Sequence, residues 1–300
     1  MDNVLTLICN PAKAVLDDST VSTVCAALNA LGADTQNPNW LSPDEAVDLE
    51  FSSGTLTAKA AEAAVHEVLG DAPVDVIAQY SDRRRKKLLI ADMDSTIVTG
   101  ETLDELAEFA GLGDAISAIT RRAMQGELDF AEALRERVAM LKGLDESYLA
   151  KTMDGVTLNP GAETLIATMR ANRAVTALIS GGFSYFTDRV RQQVGFDSSL
   201  GNRLDIQDGK LTGRAIPPIV DKDIKYEMLV DMAQQQNLGM ADTMTIGDGA
   251  NDVPMLAAAG TGVAYHAHPV ARKAARARLD HADLTGALFV QGYHRDEFVG

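Results

Sequence analysis

Leu88-Leu89-Ile90-Ala91-Asp92-Met93-Asp94-Ser95-Thr96 is the stretch on which the reading of the fold turns. Four apolar residues run straight into two carboxylates and two hydroxyls, the pattern of a buried strand that delivers polar groups at its carboxyl end. Two later stretches repeat it, AVTALISGG at 174–182 and TMTIGDGAND at 243–252. Helical patterns at about 161–171, 183–194 and 223–236 supply crossovers, and Thr261 to Ala267 reads as a further strand. The predicted fold class is α/β, a Rossmann-like parallel sheet, whose ligand crevice lies beyond the carboxyl ends of the strands. All three polar endings then converge on one site. Leu204 to Leu211, with Asp208-Gly209 at its turn, reads as a β-hairpin beside the sheet. More than 80 residues separate the first strand from the second, longer than a crossover needs, so about 100–160 is expected to be an inserted helical cap.

Ahead of this unit, residues 1–80 alternate a strand-like run (Val4 to Cys9), a helix (Val21 to Leu31), a mixed stretch from Trp40 to Phe51, a helix (Thr57 to Leu69) and a last short run (Val74 to Ala78). That describes a small α/β domain. Five consecutive cations, Arg83 to Lys87, mark the boundary and read as a solvated linker, with the second domain at 85–300. Two domains suit 300 residues, and 46% hydrophobic residues is ample for packed cores. A net charge of −16 argues against nucleic acid and anionic lipid as partners. No apolar run approaches the roughly 18 residues of a membrane span, and no cationic segment precedes Val4, so a cytoplasmic protein is expected. Cys9 and Cys25 form no CxxC pair and read as buried reduced thiols.

The chemistry sits at the strand ends. Asp92 and Asp94, two residues apart, would point to the same side of an extended chain and share one pocket. Two anions that close favour a divalent cation, or a proton on one of them, so the pair can divide labour as ionised nucleophile and protonated acid. A calcium loop fails, because its sixth position is Ile97 and its twelfth Leu103. Gly247-Asp248-Gly249-Ala250-Asn251-Asp252 adds hard oxygen ligands suited to Mg2+ and glycines that admit close approach. Ser180-Gly181-Gly182 places a hydroxyl and backbone N–H groups where an anion can bind. Leu178 stands where G-x-S-x-G would need glycine, so Ser180 reads as a phosphate binder rather than a nucleophile. P-loop, HExxH and GxGxxG motifs are absent, which leaves a Mg2+ site of carboxylates with anion binders around it.

In this order, DMDST at 92–96, SGG at 180–182, Lys225 and GDGAND at 247–252 resemble the four motifs of the haloacid dehalogenase-like phosphohydrolases. The cap narrows the resemblance. Gly100-Glu101, Met124-Gln125-Gly126-Glu127-Leu128-Asp129-Phe130 and Leu134-Arg135-Glu136-Arg137-Val138 resemble the phosphoserine phosphatases, which make L-serine in the last step of its biosynthesis. The match covers about 85–290. Residues 1–80 resemble the ACT-like, ferredoxin-like domains that precede some bacterial members. Their first strand-to-helix segment, Asn10 to Asp18, contains no glycine of the kind such ligand-binding loops present. The preferred role for that domain is therefore dimerisation, giving a homodimer, or stabilisation without a ligand.

The resemblance implies Asp92 as nucleophile and Asp94 as the acid and base. It implies Mg2+ held by Asp92, Asp94 (through its backbone carbonyl) and Asp248, with Asp252 behind them. Ser180, Gly181 and Lys225 would hold the substrate's phosphoryl group and Asn251 would complete the substrate contacts, O-phospho-L-serine being the implied substrate. Arg137 lies at the inward edge of the stripe Phe130, Leu134, Val138 and Leu141, where a guanidinium needs an anion such as a substrate carboxylate. Glu101, ahead of a capping-box pattern, would take the substrate ammonium. Two alternatives stay open: a related phosphatase or phosphotransferase acting on another small phosphorylated metabolite, and a ligand-binding regulator with an idle phosphatase half.

Overall fold

The computed structural model describes residues 3–125 and 127–300. Met1, Asp2 and Gly126, with the side chain of Met124, lie outside the described residues, and part of the 124–130 cap signature lies with them.

The first eighty residues form β1 (Asn3–Cys9), α1 (Asp18–Ala30), β2 (Asp34–Thr35), β3 (Asn39–Ser42), β4 (Ala46–Ser52), α2 (Ala58–Leu69) and β5 (Val74–Tyr80). Their antiparallel sheet has the order β2-β4-β1-β5, with β3 on β4. Putting β1 between β4 and β5 gives the split βαβ arrangement, both helices covering one face. Leu5, Leu7, Val47, Leu49, Val76 and Ala78 bury that face against Val21, Val24, Leu28, Ala61 and Val65. Asp17 and Thr57 cap α1 and α2, accepting from Thr20 and Ala60 backbone N–H groups.

The second sheet runs β6 (Leu88–Ala91), then four cap helices, α3 (Thr102–Glu108), α4 (Gly113–Met124), α5 (Phe130–Met140) and α6 (Ser147–Gly155). There follow α7 (Ala162–Ala171), β7 (Val175–Phe183), α8 (Ser184–Val194), β8 (Ser198–Gln207), β9 (Lys210–Ile216) and α9 (Lys222–Gln235). The chain closes with β10 (Thr243–Gly247), α10 (Val253–Ala258), β11 (Thr261–Tyr265), α11 (Pro269–Ala274), β12 (Ala277–Leu279) and α12 (Gly286–Val290). Strand order is β12-β11-β10-β6-β7-β8-β9, parallel except for β8–β9. Both faces are covered: Leu89 and Ala91 join one apolar cluster, whereas Leu88 and Ile90 join the other. With β7 on one side of β6 and β10 on the other, the strand order reverses at β6, and the crevice opens there.

Three expectations need correction. The hairpin does not lie beside the sheet; β8 pairs with β7 and then turns into β9, so the hairpin is its edge. Its tip holds the cap, since Gly143 and Glu146 N–H groups donate to Leu211 and Gly209 carbonyls. The cations at 83–87 are a solvated linker only in part: Arg83, Arg85 and Lys87 are exposed, but Arg84 is half-buried and Lys86 buried. Arg84 donates to both carboxylate oxygens of Asp48 (2.6 and 3.0 Å), to Thr6 Oγ1 and to the carbonyls of Phe289 and Val290, while Lys86 is buried. The two sheets meet there, and Ile8, Leu41, Ala46 and Ile77 of the first join the core of the second. Finally, Cys9 is buried but Cys25 only half-buried.

Candidate active site

β6 ends at Ala91, so Asp92 leaves the sheet and Asp94 already lies in a turn, rather than both extending from one strand. They nevertheless line one pocket with Glu101, Phe130, Arg137, Ser180, Gly181 and Asn251. Asp94 Oδ1 accepts the Thr102 N–H at 2.8 Å and so caps α3. Its Oδ2 accepts the Ser180 hydroxyl at 3.1 Å. The Ser180 oxygen in turn accepts the Gly182 N–H at 2.8 Å. β7 carries Ser180 within it, each of its ends one residue later than in the 174–182 run read from the sequence. It continues to Phe183 through a register shift after Ile179, and this irregularity, not the start of α8, positions Ser180. A Cβ on Gly181 would collide with the Phe130 ring and one on Gly182 with the Asp94 carboxylate, which explains both glycines.

Lys225, in the first turn of α9, is fully buried and donates at 2.7 Å to both Asp92 Oδ1 and Asp252 Oδ1. Asp221 caps this helix through the Asp223 and Ile224 N–H groups. Asp252 Oδ2 accepts the Asp248 and Gly249 N–H groups, both at 3.1 Å, folding the GDGAND turn around its own carboxylate. A Cβ on Gly247 would collide with that carboxyl. Asp248 accepts the Thr96 hydroxyl. Asn251 is buried with its Oδ1 unpartnered, and it lines the same pocket, whose free space is about 20 Å³, room for roughly one water.

Five carboxylates, Asp92, Asp94, Glu101, Asp248 and Asp252, thus face two cations, Lys225 and Arg137. Burial and the neighbouring Asp252 push Asp92 up to about 7, against the pull of Lys225. Burial raises Asp94 as well, and burial with nearby carboxylates holds Asp248 and Glu101 well above the usual range. Burial alone would lower the Lys225 ammonium, but Asp252 and Asp92 raise it. Asp92, Asp248 and Asp252 bring carboxylate oxygens within 4.8 Å of one another, close enough to hold one metal ion. Hydrogen bonds already engage both oxygens of Asp252, so Asp92 and Asp248 keep the free donor capacity.

In the cap, Arg137 is 3% exposed, and no carboxylate among the described residues forms an ion pair with it. Its Nη1 donates to Thr120 Oγ1 at 2.8 Å and its Nε to the Ala133 carbonyl. Thr120 in turn donates its hydroxyl to Asp104 Oδ1 at 2.6 Å. Neither Thr120 nor Asp104 stood out in the sequence, although Asp104, three residues after Glu101, was the available signal. Glu101 begins α3 but its side chain makes no capping bond; it accepts the Ser95 hydroxyl at 2.7 Å instead. Ser95 sits in the left-handed region (φ 56°), a conformation that is costly for serine and is braced by that bond. Asn202 was also missed. Fully buried, it donates to the Gly181 carbonyl and accepts the Val220 N–H, both at 2.8 Å, tying the Ser180 bulge to the loop before Lys225.

Residues 89–257 match the family model described as haloacid dehalogenase-like hydrolase. A protein of Archaeoglobus fulgidus named phosphoserine phosphatase is 40% identical over 219 residues, 72% of this chain and 64% of its own. One of the same name from Streptococcus thermophilus is 43% identical over 199 residues, 66% of this chain and 93% of its own. The chain spans about 60% of the length of several such relatives. Among solved structures, a HAD family hydrolase from Salmonella enterica serovar Typhi superposes with a TM-score of 0.82 at 29% identity, covering 98% of this chain and 99% of that one. Motifs, sheet topology and relatives agree: the chain belongs to the haloacid dehalogenase-like hydrolase family.

Proposed function

We propose that the chain hydrolyses O-phospho-L-serine to L-serine and phosphate, with Asp92 as nucleophile and Mg2+ as the metal. The observation that carries this reading is Arg137, a buried guanidinium without a carboxylate partner, in the same pocket as Asp92, Asp94 and Ser180. A phosphate monoester needs the latter three, but only a substrate with its own carboxylate needs Arg137, whose fork geometry suits one. Glu101, crowded by like charges, gains the counter-charge it lacks from an ammonium. Those three binding functions together describe an amino-acid phosphate.

In this reading Asp92 attacks phosphorus, with Lys225 stabilising its ionised form and keeping one further N–H for a phosphoryl oxygen. Asp94, raised by burial and therefore poised to carry a proton, donates it to the departing serine oxygen. Once serine leaves, Asp94 takes a proton from the water that cleaves the aspartyl phosphate, so one difficult displacement becomes two easier ones. Ser180, Gly181 and Asn251 hold the phosphoryl oxygens. The free oxygens of Asp92 and Asp248, with the Asp94 backbone carbonyl, are a hard donor set that fits Mg2+, and Asp252 fixes their loop from behind. When bound, Mg2+ supplies the positive charge that five crowded carboxylates and an incoming phosphate require. Because the pocket holds about one water, the cap must open to admit substrate and close to exclude solvent.

The test is phosphate release from L-phosphoserine with Mg2+ and with excess chelator, beside phosphothreonine, phosphoethanolamine and glycerol phosphate. Mg2+-dependent preference for L-phosphoserine is the expected result. Equal rates on phosphoethanolamine, which lacks a carboxylate, would reject the role of Arg137.

A further inference from the structure

The strands that carry the carboxylates at one end border, at the other, a second and much roomier cavity. This cleft, about 690 Å³, lies between the two sheets. Its walls are residues 53–58 and the end of β5 on one side, and Ala241, Thr261 and Arg276 on the other. Asp248 follows β10 and Ala241 precedes it, so a five-residue strand, roughly 16 Å, separates the cleft from the active site.

Three cations, Arg83, Lys86 and Arg276, against one carboxylate, Asp82, line this cleft in a protein whose net charge is −16. Lys86 is 8% exposed, and its Nζ donates to the carbonyls of Arg83 and Ala241, both in the cleft wall. That uses two of its three N–H groups. No carboxylate among the described residues lies within 4.0 Å of it, so a buried ammonium stands there without a counter-ion. Burial accordingly lowers its hold on the proton, with Asp242 opposing. Arg83 is exposed and faces Asp82 at only 3.9 Å, a contact of little worth in water, while Arg276 pairs with Glu62 at 3.1 Å. The start of α2, a twelve-residue helix without an acidic side chain in its first turn, opens onto the same space among Ser53, Thr55 and Thr57. Tyr80, 59% exposed, adds an aromatic surface.

We propose that this cleft binds a small phosphorylated molecule, its phosphoryl oxygens facing Lys86, Arg83 and the first turn of α2. The volume falls in the range of sites for cofactor-sized ligands. Such a ligand touches both sheets, so its binding stabilises their docking. It also explains why the cation run at 83–87 divides, Arg84 joining the sheets while Arg83 and Lys86 turn to the cleft.

Calorimetric titration of the metal-free full chain with inorganic pyrophosphate, and separately with ATP, tests the proposal. Binding of at least one probe is expected, weakened tenfold or more by Arg83→Glu, an exposed change that leaves turnover of L-phosphoserine unaltered. Lys86→Met, which keeps the buried stem without the charge, should weaken it comparably. Failure of both probes to bind below about 1 mM would overturn the proposal. So would affinity retained in both variants, because the anion would then sit elsewhere, beside Lys225.

Discussion

Two groups of buried charges hold this molecule, and they are built in opposite ways. Where the sheets meet, outside the cleft that holds Lys86, the buried carboxylates are matched: Asp48 (4% side-chain exposure) takes both forks of Arg84 (10%), and Asp75 accepts N–H groups of Asp280, His281 and Ala282 at 2.7–3.2 Å. Burial still raises Asp75, but those N–H groups and His281 work against it. At the strand ends, five carboxylates share two cations, and Asp92, Asp94, Glu101 and Asp248 are all displaced upward. A matched buried charge fixes a geometry. An unmatched one stores a demand for a ligand, and this difference, rather than burial itself, separates scaffold from site.

Neutralising one residue in each group should give opposite outcomes. Asp92→Asn removes the proposed nucleophile and should cut turnover by at least about 10⁴-fold, while the melting temperature holds or rises because a like charge has gone. Near-normal turnover of the purified variant would break the covalent mechanism. Arg84→Leu should do the reverse. It strands Asp48 in the interior at a cost of about 3–5 kcal/mol, read by chemical denaturation, with turnover per folded molecule unchanged.

The clamp in the cap sharpens the comparison, since Arg137 is unmatched in charge yet held in place. Arg137→Ala should lower kcat/KM for L-phosphoserine about 100-fold or more and that for phosphoethanolamine far less. Thr120→Val, which takes away the hydroxyl between Arg137 and Asp104, should cost about tenfold on the carboxylated substrate alone. Equal losses on both esters would mean that these residues support the cap rather than read the substrate.

Smallest is the effect of pH on the metal-free protein. The folded-state pKa of Asp92, about 7, exceeds its ordinary value of 3.8, so between those values the folded chain binds a proton that the unfolded chain has lost. Stability from this group is therefore fully present below about pH 4 and is lost as pH rises through 7. The melting temperature should fall by several degrees between pH 5 and 8, less so in Asp92→Asn, and Mg2+ should restore it at pH 8. An identical pH profile in the variant would remove Asp92 as the cause.

Much of this was legible in the sequence, for a physical reason. A buried parallel strand must be apolar, so the polar residues just beyond it stand out, and Asp92, Ser180 and Asp248 were found that way. Their neighbours were harder to see. Asn202 is one amide in β8, Thr120 is an ordinary helical threonine, and both matter through bonds to residues 16 or more positions away. The cations at 83–87 misled because charge runs are usually solvated; the partners of Arg84 lie 36 residues earlier and more than 200 later. The Ser180 irregularity carries no sequence signal beyond its two glycines, which the turn from strand to helix would also have explained.

The most direct test of the central claim, that Asp92, one of five carboxylates sharing two cations, forms the covalent bond to phosphorus, is chemical trapping. The full chain would be quenched during turnover of L-phosphoserine with Mg2+, treated with borohydride to reduce any acyl phosphate, and its peptides sequenced by mass spectrometry. The account predicts reduction of Asp92 to homoserine, dependent on substrate and absent from Asp92→Asn. Reduction at Asp94 or Asp248 instead, or an unmodified Asp92 in a chain that turns over, would contradict it.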